Sequence, residues 1–118
     1  MTKAKYLQEG KNIDHKNGGT DMIAAGEIVV IGSRIGVAGG DIPAGETGAV
    51  VTEGVWELPK TASEAISVGD KLYFDAATKK VTKTASKTVD SATVPNPSAG
   101  WAVAAAAASD DTVLAKID

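Results

Sequence analysis

The chain has 118 residues, of which 43% are hydrophobic, 23% charged and only 4% aromatic. That length fits one domain, or one domain with an arm. Cysteine is absent and there is one histidine, which excludes a disulfide framework, thiolate or multi-histidine metal sites and a cysteine nucleophile. Twelve basic and fifteen acidic residues give a net charge of −3 and are interspersed. The basic stripe that a nucleic-acid binder uses to neutralise phosphates is missing, so no nucleic acid is expected as a partner.

No apolar stretch approaches the roughly eighteen residues of a membrane span, so no membrane partner is expected. Met1-Thr2-Lys3-Ala4-Lys5 leads into polar residues rather than an apolar signal core, and the expectation is a soluble, unprocessed chain, made in a reducing cytosol or indifferent to redox. Residues 1–20 read as an N-terminal arm, with short β-like pieces at Tyr6-Leu7-Gln8 and Ile13-Asp14-His15 and a turn at Gly18-Gly19. Residues 21–118 read as the folded domain.

Within that domain Glu27–Ile31 and Ile35–Ala38, separated by Gly32-Ser33-Arg34, predict a hairpin. Glu46–Glu53 predicts the next strand, and Val55–Leu58 another that Pro59 stops. Thr61–Ile66 predicts one short helical turn, with Thr61 as cap and Glu64 three residues on. Lys71–Phe74 and Lys80–Thr84 predict a hairpin around Asp75–Lys79. Ser86–Ala99 reads as a polar surface loop, Gly100–Val103 as a strand, and Thr112–Ile117 as the closing strand. Ala104–Ala108 is too short to nucleate a helix alone and reads as a strand of small side chains. The fold class is therefore all-β, a small barrel or jelly-roll-like sandwich with an extended N-terminal arm and at most one short helix. No internal repeat stands out beyond recurring hairpins.

Catalytic motifs fail on inspection. Gly54-Val55-Trp56-Glu57-Leu58-Pro59-Lys60-Thr61 matches a phosphate-binding loop at its first glycine, lysine and threonine. Pro59 replaces the second glycine and has no N–H to offer a phosphate. The glycines at 32, 36, 39 and 40 fit no dinucleotide fingerprint. His15 has no nearby serine and no plausible third partner, Asp110-Asp111 reads as a turn, and Asp70 and Asp75 lack calcium-loop spacing. No catalytic residue, cofactor-binding residue or metal ligand is assigned, and no cofactor is expected. Trp56 and Trp101 each alternate with small or polar residues. Both suit a core position or an interface anchor, and they are the candidates for an oligomer interface.

The order of Tyr6–Gly10, Gly26–Gly32, Ile42–Glu46, Thr52–Lys60, Gly69–Tyr73 and Gly100–Ala105 resembles the DUF2190 family of tailed-phage capsid cement, or decoration, proteins. The most specific segment is Glu53-Gly54-Val55-Trp56-Glu57-Leu58-Pro59-Lys60. The resemblance implies a non-catalytic virion protein on the outer surface of a phage head, made in the bacterial host cytoplasm. Its implied partners are the major capsid protein and further copies of itself, a trimer by analogy with decoration proteins, or a dimer. An extended arm can add a strand to an exposed sheet edge. Lys5, Tyr6, Leu7 and Gln8 are the candidate capsid contacts. The alternative is a small β-barrel binding module with a concave pocket at a tryptophan, and an enzyme would need paired carboxylates in a cleft.

Overall fold

β-branched runs separated by glycine and proline turns form strands throughout the computed structural model, which describes residues 3–117. Those residues hold eleven strands and no helix. They are β1 (Asn12–Lys16), β2 (Ile28–Ile31), β3 (Arg34–Ala38), β4 (Thr47–Val51), β5 (Gly54–Pro59), β6 (Lys71–Asp75), β7 (Lys80–Thr82), β8 (Ser86–Val89), β9 (Ala92–Pro95), β10 (Ser98–Ala102) and β11 (Thr112–Ile117). The main sheet runs β1-β4-β3-β10-β11-β5, with β2 on β3 and β6 on β10 and β7, while β8 and β9 form a separate ribbon. The all-β sandwich-like class holds, but the sheet does not close into a barrel.

Alternation sets the core. On β11, Val113, Ala115 and Ile117 are buried and Thr112, Leu114 and Lys116 are exposed, as period-two side chains must be on a half-buried strand. One core cluster joins Leu58, Leu72, Phe74, Val81, Val113 and Ile117 among others. A smaller one joins Val29, Ala38, Ile42 and Val50.

The molecule is an internal duplication, which the sequence reading missed. β1–β4 are matched by β5, β6, β10 and β11, with β7–β9 inserted in the second unit. The same antiparallel pairs recur: β1 with β4 as β5 with β11, β2 with β3 as β6 with β10, β3 with β4 as β10 with β11. The turns repeat bond for bond. The Gly26 N–H donates to the Ala38 carbonyl and Ala38 to Glu27, as Gly69 donates to Ala102 and Ala102 to Asp70. Ile23 and Ile42 exchange two backbone bonds, and so do Ile66 and Ala106. The two units join where β3 and β10 meet in parallel at Arg34 and Ser98. Side-chain volumes are traded between them. Ile42 packs over Gly48, where an added Cβ would stand 2.5 Å from the Ile42 side chain. The second unit has the small Ala106 and the larger Val113 at the matching positions, so each half stays close-packed.

Several local expectations are corrected. Thr61–Ile66 is not helical, because the Thr61 N–H and Oγ1 both donate to the Val81 carbonyl, Ser63 takes φ 63°, and Ile66 bridges to Ala106. Glu64 does not cap. Its carboxylate accepts from Thr82 Oγ1 at 2.9 Å and from the Lys83 N–H. Ser86–Ala99 is not a loop but the β8–β9 ribbon followed by the start of β10. The alanine run is not a continuous strand, since β10 ends at Ala102 and only Ala106 pairs, with Ile66. Tyr6–Gln8 forms no strand.

Candidate functional site

The candidate contact residues Lys5, Tyr6, Leu7 and Gln8 lie together on an extended segment, all exposed, with Tyr6 and Leu7 each 80% accessible. Two neighbouring apolar side chains are thus left bare of any intramolecular packing. The root of the segment is fixed. Thr52 Oγ1 donates to the Gly10 carbonyl at 2.9 Å, and the Thr52 N–H donates to the Lys11 carbonyl at 2.9 Å. Gln8 Nε2 donates to the Asn12 carbonyl at 3.2 Å. Beyond that root the segment is free of the sheet, whereas Asn12–Lys16 pairs with β4.

The two tryptophans sit on opposite faces of one sheet. Trp56 pairs with Ala115 and Trp101 with Lys116, consecutive residues of β11 whose side chains point to opposite sides. Trp56 is half-buried against the core, and its Nε1–H donates to the Glu53 carbonyl at 3.1 Å. Trp101 is 36% exposed on the outer face, flanked across the strands by Lys116 and Lys71. They therefore do not form one patch, and each has a different neighbourhood.

A groove of about 670 Å³ runs between β2 and β5. Ile28, Val30, Leu58 and Phe74 line it beside Trp56, with Glu27 and Glu57 also along it. β5 contributes Trp56 to Pro59 consecutively, so the strand's edge, and not one of its faces, borders the groove. Each of these strands has only one sheet partner among the described residues, β3 for β2 and β11 for β5. Two strand edges thus face an apolar trough, the exposure that folded proteins ordinarily cover.

The inserted β8–β9 ribbon is the feature that sequence reasoning missed altogether. Its turn uses positive φ at Asp90 and Ser91, and Val89 and Val94 are exposed on it. Asp-Ser between Ser86–Val89 and Ala92–Pro95 was the available turn signal. An ion pair ties the ribbon to β6, Lys87 Nζ standing 3.1 Å from Asp75 Oδ1. The hydrogen bond from Lys87, with that from the Ala77 N–H, holds the Asp75 carboxyl below its ordinary range.

Chemistry of other kinds finds little footing. The phosphate-loop-like segment is strand β5, and its lysine points inward. Lys60 is 1% exposed, with its ammonium on the Thr61, Glu64 and Ala108 carbonyls. His15 is half-buried on β1 opposite Gly48. Among the described residues no group of three or more His, Cys, Asp or Glu is placed to hold a metal ion, and no helix is long and apolar enough to cross a membrane.

Neither the curated proteins nor the solved structures contain a match to this chain. A family model described as phage cement protein matches residues 7–117, which takes in the last two candidate contact residues, both tryptophans, the groove and the inserted ribbon. Its span covers both units of the duplication, and the chain belongs to the phage cement protein family.

Proposed function

We propose that this chain is a non-catalytic virion protein that binds the outer surface of a phage head and reinforces the lattice of the major capsid protein. It is made in the host cytoplasm and acts as a small homo-oligomer, with a trimer favoured over a dimer. Residues 1–20 serve as the arm and its root, and 21–118 as the body. Lys5, Tyr6, Leu7 and Gln8 carry a contact to the shell, and Trp56 and Trp101 serve the oligomer interface. The observation that carries this reading is the bare Tyr6-Leu7 pair on an anchored, extended segment, in a chain of the cement family. Individually modest contacts suffice on a shell, because many copies and several contacts per oligomer act together.

A second reading, a module for a small ligand or peptide, draws on the groove beside Trp56. Co-sedimentation with capsids stripped of this protein separates the two. The full chain is compared with one lacking residues 2–9, a cut that spares Lys11, whose carbonyl binds the Thr52 N–H, and the strand residue Asn12. Saturable binding that weakens at least several-fold on truncation supports the cement reading and the arm contact. Full binding without the arm moves the contact to the body, and no binding by either chain removes the cement reading.

A further inference from the structure

The strand missing from the β2–β5 groove has a counterpart in the sequence. β4, the last strand of the first unit, leads through Thr52-Glu53-Gly54 into β5, which opens the second. In the first unit, Tyr6-Leu7 leads through Gln8-Glu9-Gly10 towards β1. Gly10 and Gly54 both take positive φ, 76° and 113°. Residues 4–8 therefore stand before β1 as β4 stands before β5. They hold a strand's place in the repeat but form no strand and have no sheet partner among the described residues.

We propose that residues 4–8 of one copy insert as a strand into the β2–β5 groove of a second copy. The groove offers unpaired backbone on both sides and an apolar floor, and the arm offers unpaired backbone and exposed apolar side chains. Their charges also match. Glu27 and Glu57 border the groove against one lysine, Lys79, which leaves it net negative, and the arm carries Lys3 and Lys5. In an antiparallel addition to β5, the register that sets Lys5 beside Glu57 sets Tyr6 beside Trp56, Ala4 beside Leu58 and Leu7 beside Val55. Trp56 and Leu58 lie on the inward face of β5, and Val55 and Glu57 on the outward face, opposite the exposed Lys116 and Leu114. Alternation then places Ala4, Tyr6 and Gln8 in the trough and Lys5 and Leu7 outward. A positive-φ glycine at the root gives the arm its corner, and exchange of one identical element between copies is a low-cost route to an oligomer.

The seating does not depend on capsid binding. Only the role of Lys5 and Leu7, as a surface shown to the shell, rests on the function proposed above; Tyr6 and Gln8 then serve that contact by holding the segment in its seat. It gives Trp56 its place at the interface between copies, and makes the capsid-facing surface composite.

The absence of cysteine makes a direct test available on the free protein. Leu7→Cys and Val55→Cys are exposed substitutions that face each other in this register. The two variants, distinguished by a tag, are co-expressed, purified reduced and then oxidised. The expected product is a disulfide-linked pair containing one chain of each kind, about tenfold above the yield from either variant alone, as a seated segment gains in effective concentration. Tyr6→Asp in the Leu7→Cys chain should return the yield to that of the single variants. A chain carrying both cysteines that closes on itself as a fast-migrating monomer, independent of dilution, would show the arm in its own groove and overturn the exchange. Equal yields from the pair and from either variant alone would overturn it as well. Because no capsid is present, these outcomes leave the co-sedimentation result to judge the cement function separately.

Discussion

Lys60 holds in the second unit the place that Asn17 holds in the first. Both are buried, 1% and 3% exposed, directly after the outer strand of their unit. The Asn17 N–H donates to the Glu46 carbonyl and the Lys60 N–H to that of Asp111, both at 2.8 Å. Each side chain then turns back on the carbonyl four residues ahead, Asn17 Nδ2 to Asp21 at 2.8 Å and Lys60 Nζ to Glu64 at 2.6 Å. An amide and an ammonium solve one problem, an inward-pointing loop carbonyl, at Asp21 in one unit and at Glu64 in the other. The ammonium's additional donors go to the Thr61 and Ala108 carbonyls. Among the described residues no buried side-chain nitrogen or oxygen is left without a partner.

Lys60→Met keeps the length and apolar stem of the side chain and removes all three donors. Stranded carbonyls cost about 1–3 kcal/mol each when water cannot reach them. Relaxation and some hydration around the loop reduce the total, and a loss of about 2–4 kcal/mol is expected. Asn17→Ala, which strands the Asp21 carbonyl and leaves that of Ile42 with the Ile23 N–H alone, should cost about 1–3 kcal/mol. Urea denaturation at neutral pH gives both values. A Lys60→Met protein as stable as the parent would mean that the ammonium contributes nothing to holding the two loops together.

The all-β class was legible because it rests on local signals. Val, Ile and Thr runs bounded by glycine and proline mark β2, β3, β4 and β11 almost residue for residue. The duplication was not legible, because its two halves share hydrogen bonds more than residue types. Ile42 answers to Ala106, Gly48 to Val113 and Asn17 to Lys60, and the identities that do repeat, Ile23 with Ile66, Gly26 with Gly69 and Ala38 with Ala102, are single residues too scattered to show as a repeat. The β8–β9 ribbon was hidden for a different reason. Its strands, Ser-Lys-Thr-Val and Ala-Thr-Val-Pro, are exposed on both faces and carry no apolar periodicity. Thr61 and Glu64 looked like a helix cap because their spacing is right, but tertiary partners at Val81, Thr82 and Lys83 outcompeted the local bonds. The candidate arm residues were readable from composition. That the tryptophans occupy opposite faces depends on register, which only pairing fixes.

Gly100 and Gly45 separate backbone strain from steric collision. Both take φ 81°. Around Gly45 an added Cβ meets nothing within 4 Å, while at Gly100 it would stand 1.9 Å from the Lys116 carbonyl oxygen. Gly45→Ala should therefore cost only the left-handed penalty, about 1–2 kcal/mol. Gly100→Ala must also push β10 from β11, and is expected to lose upwards of about 4 kcal/mol or fail to accumulate as folded protein. Thermal melts of the two variants side by side read the difference. Similar melting temperatures would contradict the close approach of these strands.

The Asp75–Lys87 pair makes attachment of the β8–β9 ribbon pH-dependent. The folded carboxyl titrates below the ordinary value of 3.8, so the tie is fully present above that value. It is lost as pH falls through the lowered folded value. The pair is partly exposed, its side chains 31% and 24% accessible, so its contribution stays below about 1 kcal/mol. Asp75→Asn should loosen residues 86–95 at neutral pH as acid does in the parent, with little change in global stability. Amide exchange in the ribbon measured from neutral pH down to 3 checks this. An acid response that persists unchanged in Asp75→Asn would assign it to another group.

The two tryptophans should respond oppositely to truncation. Trp56 packs on the main core and borders the groove, so Trp56→Ala is expected to cost about 3 kcal/mol of stability through the cavity it leaves. It should also weaken association, because the seat for Tyr6 disappears. Trp101 stands on the outer face beside Lys71 and Lys116, and with a third of its surface open its truncation should cost less than about 1.5 kcal/mol. If Trp101 serves contacts between copies, Trp101→Ala should shift the oligomer equilibrium more than it shifts the unfolding transition. Sedimentation velocity over a dilution series, paired with urea denaturation, gives both quantities for each variant. An unchanged sedimentation profile for Trp101→Ala removes it from the interface. It would leave the exchanged arm as the principal link between copies, since the groove lies against the inward-facing Trp56 and not against the outer face.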